Sequence, residues 1–195
     1  NDIARGANGV LFYRWRSNRW GQEQNPNGIL RHDGSPRRAY GEIQRLTREL
    51  QSFGGELAAT SVRAEVAILH SYDNFWAFEA NRQYANSDCV KLEQEMYNAL
   101  SDLGVTADLV RPEEDLSRYK LVLAPNSVLV GKAAARNFEA YVEQGGHIVF
   151  GVRSGLKDEN NVMVDIPWPG LLAGLCGITV EEFEAFPAHA WNQVS

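Results

Sequence analysis

Between residues 12 and 29 the chain reads "FYRWRSNRWGQEQNPNGI". Tyr13, Trp15 and Trp20 offer aromatic planes there, and Glu23 offers a carboxylate. Aromatic planes stack on the apolar faces of sugar rings, and a carboxylate accepts charge-assisted hydrogen bonds from hydroxyls. A sugar site needs both. Tyr13 also ends an apolar run, and side chains at the carboxyl end of a barrel strand face the active site. The same residues suit a plainer role, a capping loop whose tryptophans only seal the barrel. Chemistry alone leaves both readings open.

The elements that must carry this loop are legible on either side of it. Residues 10–13 form a continuous apolar run, which predicts a strand buried on both faces. Residues 14–34 are a long connection, and long loops after strands usually carry function. Next comes "DGSPRRAYGEIQRLTRELQSFGG". Ser35 is placed to cap a helix and Pro36 to occupy its first turn. Tyr40, Ile43, Leu46 and Leu50 share one helical face, and Gly54-Gly55 predicts the stop. This makes one strand-loop-helix unit.

A second unit opens after a junction near residues 55–61. Strands are predicted over residues 65–70, 106–110, 120–124 and 147–152, and helices over 87–103 and 131–144. Leu92, Met96, Leu100 and Leu103 line one face of the first of these helices. A short helix near 170–175 and a last strand near 178–183 complete the pattern. Alternating strands and helices imply a parallel, doubly wound α/β sheet.

Such a sheet invites nucleotide or hydrolase chemistry, and the motifs for both are missing. The segment after the first strand, "SYDNFWAFEANRQ", has no glycine with which to approach a phosphate. The turn after the third strand offers Asn126 and Ser127, without a cysteine or flanking glycines. Ser127 would need His70 or His147 as its base, and a polar turn residue is the simpler assignment. What remains is aromatic surface: Tyr72, Phe75, Trp76, Phe78 and Tyr84 combine core with a candidate interface. Residues 152–161 follow the fourth strand with Arg153, Lys157, Asp158 and Glu159, which suit either a solvated turn or a rim.

Composition narrows the classes further. A net charge of -6 and a pI near 5.3 argue against a nucleic-acid partner. No run of 18 apolar residues spans a membrane. His32, His70, His147 and His189 lack metal-ligand spacing, so no metal site is expected. Cys89 and Cys176 read as reduced core residues. The chain starts at Asn1 without a signal peptide and reads as an interior fragment.

The stretch "GANGVLFYRWRSNRWGQEQNPNGILRHDGSPRRAYGEIQRLTREL" resembles the last strand, loop and helix of the catalytic barrel in glycoside hydrolase family 42 β-galactosidases. "VAILHSYDNFWAFE" and "RSGLKDENNVMVDIPWPGLLAGLCGITVEEFEAF" resemble the trimerisation domain that follows it. The resemblance implies that residues 1–55 end a (β/α)8 barrel. It implies that residues 56–195 form a flavodoxin-like domain, related to glutamine amidotransferases but without their active site.

The resemblance also implies a retaining hydrolase of terminal β-D-galactosides, with no cofactor, a homotrimeric assembly and a bacterial cytoplasmic location. Its two catalytic glutamates, roughly 5 Å apart, would lie upstream of Asn1, so no catalytic residue is expected in this chain. Tyr13 and Glu23 would bind substrate. Where the family commonly has a histidine three residues after that glutamate, this chain has Pro26, with Asn25 or Asn27 as candidate substitutes. A free-standing flavodoxin-like interaction domain is the competing class.

Overall fold

In the computed structural model the described residues are 2–3, 6–25, 28–82 and 88–183. The chain divides into two compact units between Arg63 and Ala64.

The first unit is built on α1 (Arg38–Ala58) and the loop that precedes it. Residues 10–13 do not form the predicted strand. Leu11 is 99% exposed and Tyr13 71%. An apolar run becomes a strand only where neighbours satisfy both rows of its backbone groups, and no neighbouring strand flanks it among the described residues. Helix α1 begins two residues later than expected, with Arg37 at the N-cap and no side-chain cap. Ser35 is otherwise engaged, its N–H and hydroxyl donating to Asp33 Oδ1 at 2.8 and 2.6 Å.

The helix also passes through Gly54 and Gly55 without stopping. A glycine ends a helix when it turns left-handed. Neither does, and the helix instead closes at Ala59, whose N–H reaches Glu56 and Leu57.

The second unit is a four-stranded parallel sheet of β1 (Val66–Leu69), β2 (Ala107–Val110), β3 (Leu121–Ala124) and β4 (His147–Phe150). The order is β2-β1-β3-β4, the flavodoxin-like arrangement. Val66 pairs with Ala107 on one side and Leu121 on the other, and Leu121 pairs with His147. All four β1 residues are buried, as a strand covered on both faces requires.

Three further helices connect the strands: α2 (Tyr72–Ala80), α3 (Cys89–Asp102) and α4 (Lys132–Glu143). A 3-10 turn at Gly170–Leu172 leads into α5 (Ala173–Cys176). Helix α4 buries Ala134, Ala135, Phe138 and Tyr141, a spacing that keeps them on one face. Phe138 is fully buried and meets Phe150 edge-on with ring centroids 5.5 Å apart. Leu116, Val122 and Leu172 complete this core.

Two segments of this unit differ from the sequence reading. The aromatic stretch after β1, which the sequence pattern leaves without an assigned element, is the helix α2. Ser71 caps it, its side chain accepting from the Asn74 N–H. The expected strand at 178–183 reduces to one bridge, with the Val180 N–H donating to the Trp168 carbonyl at 2.9 Å. Proline on both sides of Trp168 removes the donors that a longer ladder would need.

The Phe138 core generates a stability test. Phe138→Ala should lower the unfolding free energy by about 3–5 kcal/mol, the range for emptying a buried phenylalanine site. Urea unfolding followed by far-UV circular dichroism reads this directly, and a loss below about 1 kcal/mol would contradict the packing described.

Candidate functional site

The loop between residues 14 and 34 is laced to itself. Ile29 and Leu30 donate their N–H groups to the Arg14 and Trp15 carbonyls, each at 2.8 Å. The Gly28 N–H donates to Ser17 Oγ at 2.9 Å, and Ser17 is buried. Gly28 is obligatory here, because a Cβ would sit 2.7 Å from the Ser17 nitrogen and 2.8 Å from the Arg16 carbonyl carbon. Arg16 donates from Nε and Nη2 to the His32 carbonyl, which ties the two ends of the loop together.

This lacing holds a single 3-10 turn, Gln22–Gln24. Gly21 enters it at φ 78°, ψ -170°, a conformation that glycine alone adopts without strain. The His32 ring fixes its far end, with Nε2 2.9 Å from the Gln24 carbonyl. The turn therefore presents Glu23 on a defined backbone.

Glu23 is where the chemistry converges. Tyr13 donates its hydroxyl to Glu23 Oε2 at 2.7 Å. Arg14 Nη2 donates to the same Oε2 at 3.0 Å and to the Glu23 carbonyl at 2.8 Å. The Arg14 side chain is 10% exposed, and that of Glu23 is 58% exposed. Among the described residues no hydrogen bond reaches Glu23 Oε1. A half-exposed carboxylate with one oxygen anchored and the other without a hydrogen-bond partner among the described residues is a ready acceptor for ligand hydroxyls.

Sequence reasoning names Tyr13 and Glu23, and the structure brings them together. It does not single out Arg14, the residue that charges and braces the pair. Alternation of cationic and aromatic residues in "YRWR" is the signal that was available.

The two tryptophans lie elsewhere. Trp15 packs edge-on against Tyr40 of α1 with centroids 6.2 Å apart. Trp20 is exposed, with the Arg19 guanidinium 5.1 Å from its ring centroid. Both are more than half exposed, and no hydrogen bond or ring contact joins either to Glu23 among the described residues. Asn25 follows the turn directly and is exposed, while Pro26 and Asn27 lie outside the described residues.

The described residues of the second unit show no comparable convergence. Ser127 is buried, and His147 starts β4 at the opposite end of the sheet. His70 is held by Glu93, with Nδ1 2.8 Å from Oε2. No nucleophile-base pair forms among the described residues. Among the described residues no cluster of three or more metal-ligating side chains occurs. Cys89 and Cys176 are free thiols, and burial raises the pKa of both.

On α2, Asn74, Ala77 and Phe78 face inward, while Tyr72 and Trp76 stay exposed with their rings 5.9 Å apart. Asn74 secures the helix by accepting from the Leu129 N–H at 2.7 Å. The expected rim at residues 152–161 is partly internal: Ser154, Leu156 and Lys157 are buried, and Lys157 Nζ donates to Asn161 Oδ1 at 2.7 Å. Tyr84 lies outside the described residues.

Residues 64–195 match the β-galactosidase trimerisation domain model, and residues 1–53 match the β-galactosidase model of family 42. The chain belongs to the glycoside hydrolase family 42 β-galactosidases. It is 38% identical to β-galactosidase Bga of Halorubrum lacusprofundi over 94% of this chain and 26% of that protein. It is 33% identical to β-galactosidase BgaB of a Geobacillus species over 98% and 29%. The crystal structure of a β-galactosidase from Bacillus circulans superposes with a TM-score of 0.87 at 30% identity, covering 93% of this chain and 27% of that one. The chain thus spans between a quarter and a third of the length of these relatives. The end of a family 42 barrel followed by a parallel-sheet domain accounts for both units.

The Tyr13–Glu23 contact has a titration signature. Donation to Glu23 is the largest cause raising the Tyr13 pKa above its ordinary value. Partial desolvation adds to it, and Arg14 opposes it. A raised tyrosine pKa means that the bond persists below the ordinary value and is lost as pH climbs through the raised one. Spectrophotometric titration of the chain against Tyr13→Phe should show a phenol ionising above the ordinary tyrosine range. Glu23→Gln should bring it back down. A Tyr13 phenol that ionises in the ordinary range in the unsubstituted chain, unchanged by Glu23→Gln, would contradict the contact.

Proposed function

We propose that this chain is one portion of a retaining β-galactosidase that removes terminal non-reducing β-D-galactose residues. In this reading the first unit closes the catalytic barrel and supplies one wall of the sugar pocket through Tyr13 and Glu23. The second unit assembles the enzyme. The carrying observation is the Glu23 carboxylate, fixed by the Tyr13 hydroxyl at 2.7 Å within the residues that match the β-galactosidase model.

The chemical logic follows from what galactose presents. Its hydroxyls are donors, and a carboxylate accepts them more strongly than a neutral group does. An acceptor that is already oriented avoids ordering cost when the sugar arrives. The catalytic acid and nucleophile belong to other strands of the barrel, and no residue of this chain fills either role. The protein acts without a cofactor and in the cytoplasm. Its negative net charge favours neither nucleic acid nor an anionic membrane surface as partner. No helix among the described residues is long and apolar enough to cross a membrane.

The assembly is a homotrimer. A threefold contact is heterologous, so one patch meets a different patch on the neighbour. Tyr72 and Trp76 are exposed on the outer side of α2, and paired aromatics are typical anchors of such contacts. They form one patch, and the outward residues of 152–161 contribute to a second.

Two outcomes test this reading. In the full-length protein, Glu23→Ala should cost about 2–4 kcal/mol in kcat/KM on a nitrophenyl β-galactoside, as lost charge-assisted hydrogen bonds do. An unchanged kcat/KM would remove Glu23 from the pocket. Light scattering on the full-length protein should give a trimer mass that Trp76→Ala lowers, with little change in Tm because the ring is not core. A monomeric wild-type mass at micromolar concentration would defeat the assembly.

A further inference from the structure

We propose that Arg14 is a positioning residue for sugar binding, acting only through Glu23. This rests on the reading of Glu23 as a substrate contact and adds to it the device that aims the carboxylate.

The geometry carries the assignment. One guanidinium nitrogen, Nη2, donates to both the side chain and the backbone carbonyl of Glu23, at 3.0 and 2.8 Å. Two points of one residue are thereby fixed to one donor, which sets the side-chain rotamer relative to the turn. The turn itself is irregular: Glu23 sits at φ -93°, ψ 36°, outside helical values. Its conformation therefore depends on tethers from outside the turn, and Arg14 is the charged one.

Burial separates the two partners into holder and held. The Arg14 side chain is 10% exposed and its Nε is buried without a partner. The cation is sequestered, lying over the Tyr13 ring with its guanidinium carbon 5.0 Å from the centroid. Arg14 is therefore not presented to a ligand; Glu23 is. Tyr13 and Arg14 both take Oε2, and the sugar is left Oε1. A lysine in place of Arg14 carries the charge on a single flexible ammonium and lacks the planar fork. A glutamine ends two bonds short of Nη2 and carries no charge.

The test is a double-mutant cycle in the full-length protein, with Arg14→Gln, Arg14→Lys and Glu23→Gln assayed on a nitrophenyl β-galactoside. Arg14→Gln should lower kcat/KM by roughly 10-fold to 100-fold, the scale of losing a hydrogen bond to a charged group. Its loss should divide between kcat and KM in the same proportion as that of Glu23→Gln. Arg14→Lys should recover part of the loss. In the Glu23→Gln background, Arg14→Gln should change kcat/KM by less than about 3-fold.

If Glu23→Gln is impaired while Arg14→Gln matches wild type, the positioning role is overturned and the pocket reading stands. If the two losses simply multiply, Arg14 acts independently of Glu23 and the proposal also fails. If Glu23→Gln itself matches wild type, the pocket reading fails. Should Arg14→Gln not fold, Arg14→Lys is judged by the same cycle, and a Lys loss that persists undiminished in the Glu23→Gln background overturns the proposal.

Discussion

A carboxylate at a surface has no reason of its own to point one way. In this chain the Glu23 carboxylate is held by a phenol and a sequestered guanidinium that share one of its oxygens. Much of the surrounding loop serves that arrangement. Arg16 closes the loop on the His32 carbonyl. Gly28 lets the returning chain pass within contact distance of Ser17, and Gly21 admits the turn that carries Glu23. The His32 ring then braces the turn from its far side. An ion pair whose carboxylate is more than half exposed contributes little to stability, so the arrangement is better understood as orientation than as glue.

The second unit solves a different problem with ordinary means. A parallel sheet must be covered on both faces, and α4 covers one part of it with Phe138 and Tyr141. Tyr141 also ties sheet to helix, its hydroxyl accepting from the N–H of His147, the first residue of β4, at 3.2 Å. The loops at the carboxyl edge, where such folds place their chemistry, are filled with structural bonds instead. Asn126 donates to the Cys89 carbonyl and Asn74 accepts from Leu129. A fold with its active-site edge used for bracing is free to devote its outer surface to contacts.

Hydrophobic period made most of the second unit legible in the sequence. The stripe of α3 and the short apolar runs of β1 and β3 leave little ambiguity about type. Helix α2 is hidden because its inward face is Asn74, Ala77 and Phe78 while the larger aromatics Tyr72 and Trp76 stay exposed, so no apolar stripe marks the buried side. Its cap, Ser71, was the remaining clue. Residues 10–13 show the converse: the apolar run is genuine, but strand formation depends on partners that local sequence does not contain. In the site, Tyr13 and Glu23 were recognisable by type. Their bond was not, because it spans ten residues of irregular backbone whose path is fixed by Gly21, Gly28 and Arg16 together. The role of Arg14 is illegible in the sequence for the same reason, since an arginine beside a tyrosine announces nothing until the turn brings Glu23 to it.

The most direct measurement is a crystal structure of the full-length protein with galactose bound. The expected result places Glu23 Oε1 within about 3 Å of a sugar hydroxyl, with Oε2 still held by Tyr13 and Arg14. A sugar bound in the barrel without contact to Glu23, or a Glu23 carboxylate released from both partners to reach it, would contradict the central claim.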